Sequence, residues 1–259
     1  MTQPTLIMIH GFRGTHHGLQ LIADHLKNLP ILIPDLPGFA EGDHLNHYDL
    51  DAYVRWLHEY ITAQNLTEPP YLLGHSFGSI VSAAYAARYP KTIKKLILVN
   101  PIGAPALEGP RGALSKIAVA YYWLGKKLPT KAGQVWLASK VSTDVMSAVM
   151  TKTKDKKERQ WIRQQHLQYF SLFHSPSSVY DGFLTSVSNS VRDVAKEIKT
   201  PTLLIVGELD DITPLEKQRL LQKDFPNATL VVIKDVGHLT HYETPDQIAD
   251  AVQAFIKSV

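Results

Sequence analysis

The segment Leu72-Leu73-Gly74-His75-Ser76-Phe77-Gly78 carries a G-x-S-x-G pattern directly after an apolar run and directly before an alanine-rich stretch that reads as a helix. A serine at a tight strand-to-helix turn sits in a strained backbone conformation with its hydroxyl exposed. The chain can pass close by only if the residues two before and two after lack a side chain. Ser76 is therefore a candidate nucleophile. A hydroxyl is a weak nucleophile near neutral pH, so it needs a base within hydrogen-bond reach and a third group to hold that base.

Both partners are available late in the chain. Val206-Gly207-Glu208-Leu209-Asp210-Asp211 ends in carboxylates, and Val236-Gly237-His238 ends in an imidazole. The order Ser, Asp, His is the one this turn motif predicts. His241 is the other nearby imidazole, but it would begin to enter the final helix, so His238 is preferred as base. Asp210 and Asp211 are adjacent, and in an extended segment neighbouring side chains point opposite ways, so only one can face the histidine. The position after the fourth apolar run, which could also supply an acid, is Asn100, and that favours Asp210.

Acyl transfer places negative charge on the carbonyl oxygen of the tetrahedral intermediate, and backbone N–H groups aimed at it lower the barrier. One donor is expected from the amide of Phe77, at the positive end of its helix. The other is expected from the amide of Phe12, in the turn Ile9-His10-Gly11-Phe12-Arg13-Gly14.

These residues need a scaffold that brings distant loops together. Six short apolar runs are visible, at 5–9, 30–33, 71–74, 95–99, 202–206 and 230–233. Each is nearly continuous in apolar residues, as strands covered by helices on both faces require. Helical patterns lie between them at about 18–27, 49–64, 77–88, 214–224 and 245–257, and Thr244 before Pro245 reads as an N-cap followed by proline at the first helical position. Residues 101–189 do not follow this alternation. Helical patterns at 114–127, 132–140 and 156–173 suggest a helical cap (101–189) inserted into a core made of 1–100 and 190–259, since so long an unstructured loop would be improbable.

Composition narrows the class. Of 259 residues 44% are hydrophobic and 20% charged, ordinary for a soluble globular chain. The absence of cysteine removes disulfides and thiolate metal sites. Neither a secretory leader nor an apolar run long enough to span a bilayer is read, so a cytoplasmic protein is expected. The net charge of +3 hides a basic stretch, Gly109 to Phe173, with twelve Lys and Arg against three acids. With Ile117 to Leu124 followed by Lys126 and Lys127, this raises a peripheral membrane contact through the basic cap. No H-e-x-x-H spacing and no Gly-rich dinucleotide fingerprint occurs, so neither metal nor cofactor is expected, nor a nucleic-acid partner.

The motifs together resemble the α/β-hydrolase superfamily. His10-Gly11-Phe12 is similar to its oxyanion loop, Asp35-Leu36-Pro37-Gly38-Phe39 to a structural turn after the next strand, and Gly74 to Gly78 to its nucleophile elbow. Gly207-x-x-Asp210-x-x-x-Pro214 is similar to its acid loop, a spacing that selects Asp210, and Gly237-His238 to its histidine loop. The resemblance implies a serine hydrolase with an α/β-hydrolase fold and an inserted cap. It departs in having no room for the antiparallel hairpin that often precedes the oxyanion strand, so six parallel strands in the order 2-1-3-4-5-6 are expected. The cap is the family's most variable region, so the resemblance leaves the substrate open. A small or medium ester with an apolar acyl part is the expectation, with Tyr121, Tyr122, Trp123, Trp136, Trp161, Tyr169, Phe170 and Phe173 available to roof its pocket, although most of them would only pack the cap onto the core. Thioester, lactone, amide and carbon–carbon bond hydrolysis, and a slow-hydrolysing ligand receptor, remain alternatives.

Overall fold

The computed structural model describes residues 4–105 and 112–258. Six strands, β1 (Leu6–Ile9), β2 (Ile31–Leu32), β3 (Tyr71–His75), β4 (Lys95–Val99), β5 (Thr202–Gly207) and β6 (Ala228–Ile233), form one sheet in the order β2-β1-β3-β4-β5-β6. Every neighbouring pair is parallel, as expected from the sequence.

The continuous apolar character of the central strands follows from what covers them. Alternate side chains point to opposite faces, so Ile7, Ile9, Leu72, Leu96, Leu98 and Leu204 enter one core. Leu6, Met8, Leu73, Ile97, Val99, Leu203 and Ile205 enter a second. Helices α2 (Leu50–Ala63) and α3 (Phe77–Arg88) close the first; α1 (His16–Ala23) and α11 (Pro245–Lys257) close the second. Strand β6 departs from this. It lies at the sheet edge and alternates between covered and open positions, with Thr229 and Val231 facing outward.

Helix ends match the sequence reading closely at α3 and α11. Asp49 caps α2 by accepting a hydrogen bond from the amide of Ala52 at 2.8 Å. Thr244 does occupy the N-cap of α11, but its hydroxyl donates back to the carbonyl of Thr240 instead of receiving a helix amide.

Among the described residues five α-helices lie between β4 and β5: α4 (Gly112–Lys127), α5 (Thr130–Leu137), α6 (Lys140–Met150), α7 (Lys156–Tyr169) and α8 (Pro176–Ser188). The sequence pattern had indicated three. Helix α8 is opened by a capping box, in which Ser175 and Ser178 bond each other's amides, and by Pro176 at the first helical position. Two 3-10 turns and α9 (Leu215–Asp224) complete the core, with the short α10 (Thr240–Glu243) leading into α11. The inserted helices are sewn to the turn after β2: the amide of Ala40 donates to the carbonyl of Leu172 at 2.8 Å, and that of His174 to Gly38 at 3.0 Å. Among the described residues no helix is long and apolar enough to cross a membrane.

Candidate active site

In a parallel sheet the loops leaving the C-terminal ends of the strands gather at one edge, and functional side chains collect there. Phe12 follows β1, Ser76 follows β3, Asn100 follows β4, Asp210 follows β5 and His238 follows β6.

The turn at Ser76 is built by its glycines. Ser76 has φ +51° and ψ −117°, a conformation unfavourable for any residue with a Cβ. Backbone bonds hold it, with the Ser76 amide donating to Val99 at 3.0 Å and its carbonyl accepting from the Ser79 amide at 2.9 Å. The Ser79 hydroxyl donates to the same carbonyl at 2.5 Å. A Cβ at Gly74 would overlap the carbonyl of Gly78, and one at Gly78 would overlap the carbonyl of Ile9, so both positions exclude other residues.

The three side chains expected to act together are brought together. His238 Nε2 lies 2.8 Å from Ser76 Oγ, and His238 Nδ1 lies 2.7 Å from Asp210 Oδ2. Asp210 and His238 are buried, and of the two adjacent carboxylates it is Asp210 that meets the histidine, whereas Asp211 is exposed and forms an ion pair with Lys152. Burial works to raise the Asp210 pKa, but the charge and hydrogen bond of His238 and the bonds from Thr213 outweigh it and hold this carboxyl below the usual carboxylate range. An ionised Asp210 only accepts, so His238 Nδ1 carries the proton and Nε2 is left to accept from the serine hydroxyl.

Sequence reasoning did not identify the residues that orient Asp210. The Asn100 amide donates to Asp210 Oδ2 at 2.8 Å and to the Gly237 carbonyl at 3.1 Å. Its oxygen accepts from the Thr240 hydroxyl at 2.9 Å. The Thr213 hydroxyl donates to Oδ2 at 2.5 Å, and the amides of Ile212 and Thr213 donate to Oδ1 at 2.7 and 3.0 Å. Asn100 therefore ties the acid loop to the histidine loop, and its presence where a carboxylate could have stood was the available signal.

His241 is not part of the final helix. It lies in α10, buried, with its ring centroid 4.1 Å from that of His75. Burial, reinforced by the neighbouring imidazoles, drives its pKa far down. Burial likewise pushes His75 down to about 3. Both are neutral wall residues.

The loop after β1 runs against the serine, since a Cβ at Gly11 would stand 3.1 Å from Ser76 Cβ. His10 braces that loop: its Nδ1 donates to the Gly11 carbonyl at 2.8 Å and its Nε2 accepts from the Leu36 amide at 2.8 Å. Among the described residues neither the Phe12 amide nor the Phe77 amide donates to a protein acceptor. Arg13, with φ +56°, sends a buried guanidinium into the inserted helices. It donates to the carbonyls of Phe170 and Leu137, both at 2.9 Å, with its charge 4.2 Å from the Phe170 ring centre.

Over Ser76 opens a cavity of about 750 Å³. Its wall includes Phe12, Met146, Tyr169, Phe170, Phe183 and Tyr242. Of the eight aromatic side chains expected to be available as a roof, Tyr169 and Phe170 take part. Tyr122 and Phe173 are buried in the packing between the helices and the core, Trp161 packs edge-on against Tyr242, Tyr121 packs against Trp136, and Trp123 and Trp136 are exposed. Among the described residues no cluster of His, Asp or Glu is arranged to hold a metal ion.

A doubly wound parallel sheet with a strained serine at its central strand-to-helix turn defines the class: an α/β-hydrolase fold. The model of the alpha/beta hydrolase fold family matches residues 4–245, and the chain belongs to that family. It is similar to Lipase 1 of Psychrobacter immobilis, 29% identical over 96% of this chain and 76% of that one. It is also similar to Lipase 3 of Moraxella sp. (strain TA144), 27% identical over 98% of this chain and 78% of that one. Among solved structures, a thermophilic esterase from Thermogutta terrifontis superposes with a TM-score of 0.80 at 22% identity, covering 99% of this chain and 90% of that one.

Proposed function

We propose that this protein hydrolyses carboxylic esters of small or medium size with an apolar acyl part, through an acyl-enzyme on Ser76. The observation that carries the reading is the unbroken line from Ser76 Oγ to His238 to Asp210, at 2.8 and 2.7 Å, at the floor of a largely apolar cavity. The lipase relatives and the esterase-like structure support the choice of an ester bond.

In this mechanism His238 takes the proton from the Ser76 hydroxyl as its oxygen attacks the ester carbonyl, and Asp210 stabilises the resulting imidazolium. The oxyanion is received by the amides of Phe12 and Phe77, which have no protein acceptor to give up. His238 then protonates the departing alkoxide. Water, deprotonated by the same imidazole, releases the acid. Residues 101–189 act as a cap that supplies the upper wall of the substrate site. We assign the reaction to the cytoplasm, which fractionation of the source cells would test.

A panel of p-nitrophenyl esters from acetate to octanoate tests the reading. Turnover is expected, with loss of at least about a thousand-fold in Ser76→Ala. A fluorophosphonate should label the wild type stoichiometrically and leave Ser76→Ala unmodified. Absence of turnover across the panel together with absence of labelling would overturn the assignment.

A further inference from the structure

Helix α6 is built inside out. Its covered side carries the hydroxyls of Thr143 and Ser147, each almost wholly buried, and Thr151 just beyond the helix end is buried as well. Its open side carries Val141, Val145 and Val149, which are 74%, 56% and 63% exposed. These valines recur every four residues, so they form one stripe along the helix. A helix facing water on one side and a core on the other has the reverse arrangement, with apolar residues inside and polar residues outside.

Two further observations say what belongs on that stripe. First, the stripe runs into the mouth of the cavity over Ser76: Val149 and the half-exposed Met146 line that cavity, as does Met150 at the helix end. Second, the ends of the helix are cationic. Lys140 begins it, and Lys154, Lys156 and Lys157 stand exposed just beyond it. From Lys140 to Arg163 there are seven Lys and Arg against three carboxylates. One of those carboxylates, Asp144, is paired with Arg163, and another, Asp155, caps α7.

We infer that α6 is a membrane-docking helix, which seats its valine stripe at the headgroup boundary of an anionic lipid surface and opens the cavity toward it. An apolar stripe ringed by lysines fits such a surface: the valines leave water for the acyl boundary, and the lysines meet lipid phosphates. The inference deepens the proposed function by naming the bilayer as the source of the ester, and it rests on that reading only for the fate of the lipid once inside the cavity.

The test uses the whole protein and vesicles of phosphatidylcholine with or without phosphatidylglycerol. Wild type is expected to sediment with the anionic vesicles, and less so at high salt. The double variant Val141→Ser/Val145→Ser alters two stripe residues that lie outside the cavity wall. It should lose about ten-fold or more in partitioning while keeping its thermal midpoint and its turnover of soluble p-nitrophenyl butyrate. Lys154→Gln/Lys156→Gln should weaken binding to anionic vesicles and reduce its salt dependence. Wild type that sediments with neither vesicle overturns the inference. So does a concentration-dependent dimer that Val141→Ser/Val145→Ser dissolves without any change in vesicle binding. Vesicle binding without turnover of the soluble ester would support docking and count against the esterase reading instead, so the two ideas fail separately.

Discussion

Four imidazoles, those of His10, His75, His166 and His241, are enclosed in the fold, and burial lowers the pKa of each, with His75 at about 3 and His166 at about 4. In the unfolded chain each returns to about 6.5. Below that value the unfolded state takes up protons that the folded state refuses, so stability must fall as pH drops from about 7 toward 4. Between pH 7.5 and 5.5 each of His75, His166 and His241, held neutral throughout that range, removes about 1.4 kcal/mol, and the three acting independently would remove about 4 kcal/mol, a large share of the 5–15 kcal/mol typical of a domain, with His10 adding in the same direction. Asp210 has its pKa lowered, so its stabilising effect is complete above about 4 and is lost only below that, which leaves the histidine window clear. Urea unfolding at pH 7.5 and 5.5 measures the difference. His166 offers the cleanest perturbation because its buried Nδ1 has no hydrogen-bond partner in the structure, so His166→Leu removes a titrating group without orphaning a bond. That variant should lose about 1.4 kcal/mol less than wild type over the same interval. Wild-type stability that is flat or rises as pH falls from 7.5 to 5.5 would refute the reasoning, as would a His166→Leu protein with the wild-type pH dependence.

Other outcomes follow from single contacts. Asp210→Asn should keep the fold but lower kcat by roughly a thousand-fold or more, because an amide can present its NH₂ to His238 and reverse the tautomer; steady-state kinetics on a soluble ester would show it. Asn100→Ala removes two donated bonds and one accepted bond between the acid and histidine loops, so kcat should fall about ten-fold or more with KM little changed, and an unchanged kcat would deny it a positioning role. Arg13→Met should cost about 3 kcal/mol in thermal or urea unfolding, since two helix-end carbonyls lose a charged donor. Gly78→Ala should yield no soluble native protein, because its Cβ has no space beside the Ile9 carbonyl; a folded, active variant would contradict the packing described.

The sheet was legible because each central strand is apolar on both faces, and the grouping of the candidate site's residues was legible because their motifs sit at strand ends in a fixed order. The chain was harder to read where local pattern and environment part company. Helix α6 buries Thr143 and Ser147 and exposes valines, so its polarity gives no usual periodic signal. Helix α8 begins in Ser175-Pro176-Ser177-Ser178, which reads as a loop unless the capping box and first-turn proline are recognised. β6 is half open because it is an edge, and an edge is a property of the whole sheet. The support around Asp210 was hidden for a related reason: Asn100 and Thr213 matter through contacts across 110 and three residues, and only the first of these positions drew notice, as a place without an acid.

The guanidinium of Arg13 has a bearing on how such a scaffold could be altered. It grows from the loop that would hold the oxyanion and ends on the carbonyl termini of two inserted helices, α5 and α7, so one cation is shared between the sheet's loop and the insertion. A transplanted insertion would have to deliver two helix ends to the same point, or leave a positive charge stranded out of water. Exchange of the upper wall for new specificity would therefore be a joint redesign of lid and loop, with residue 13 as the seam.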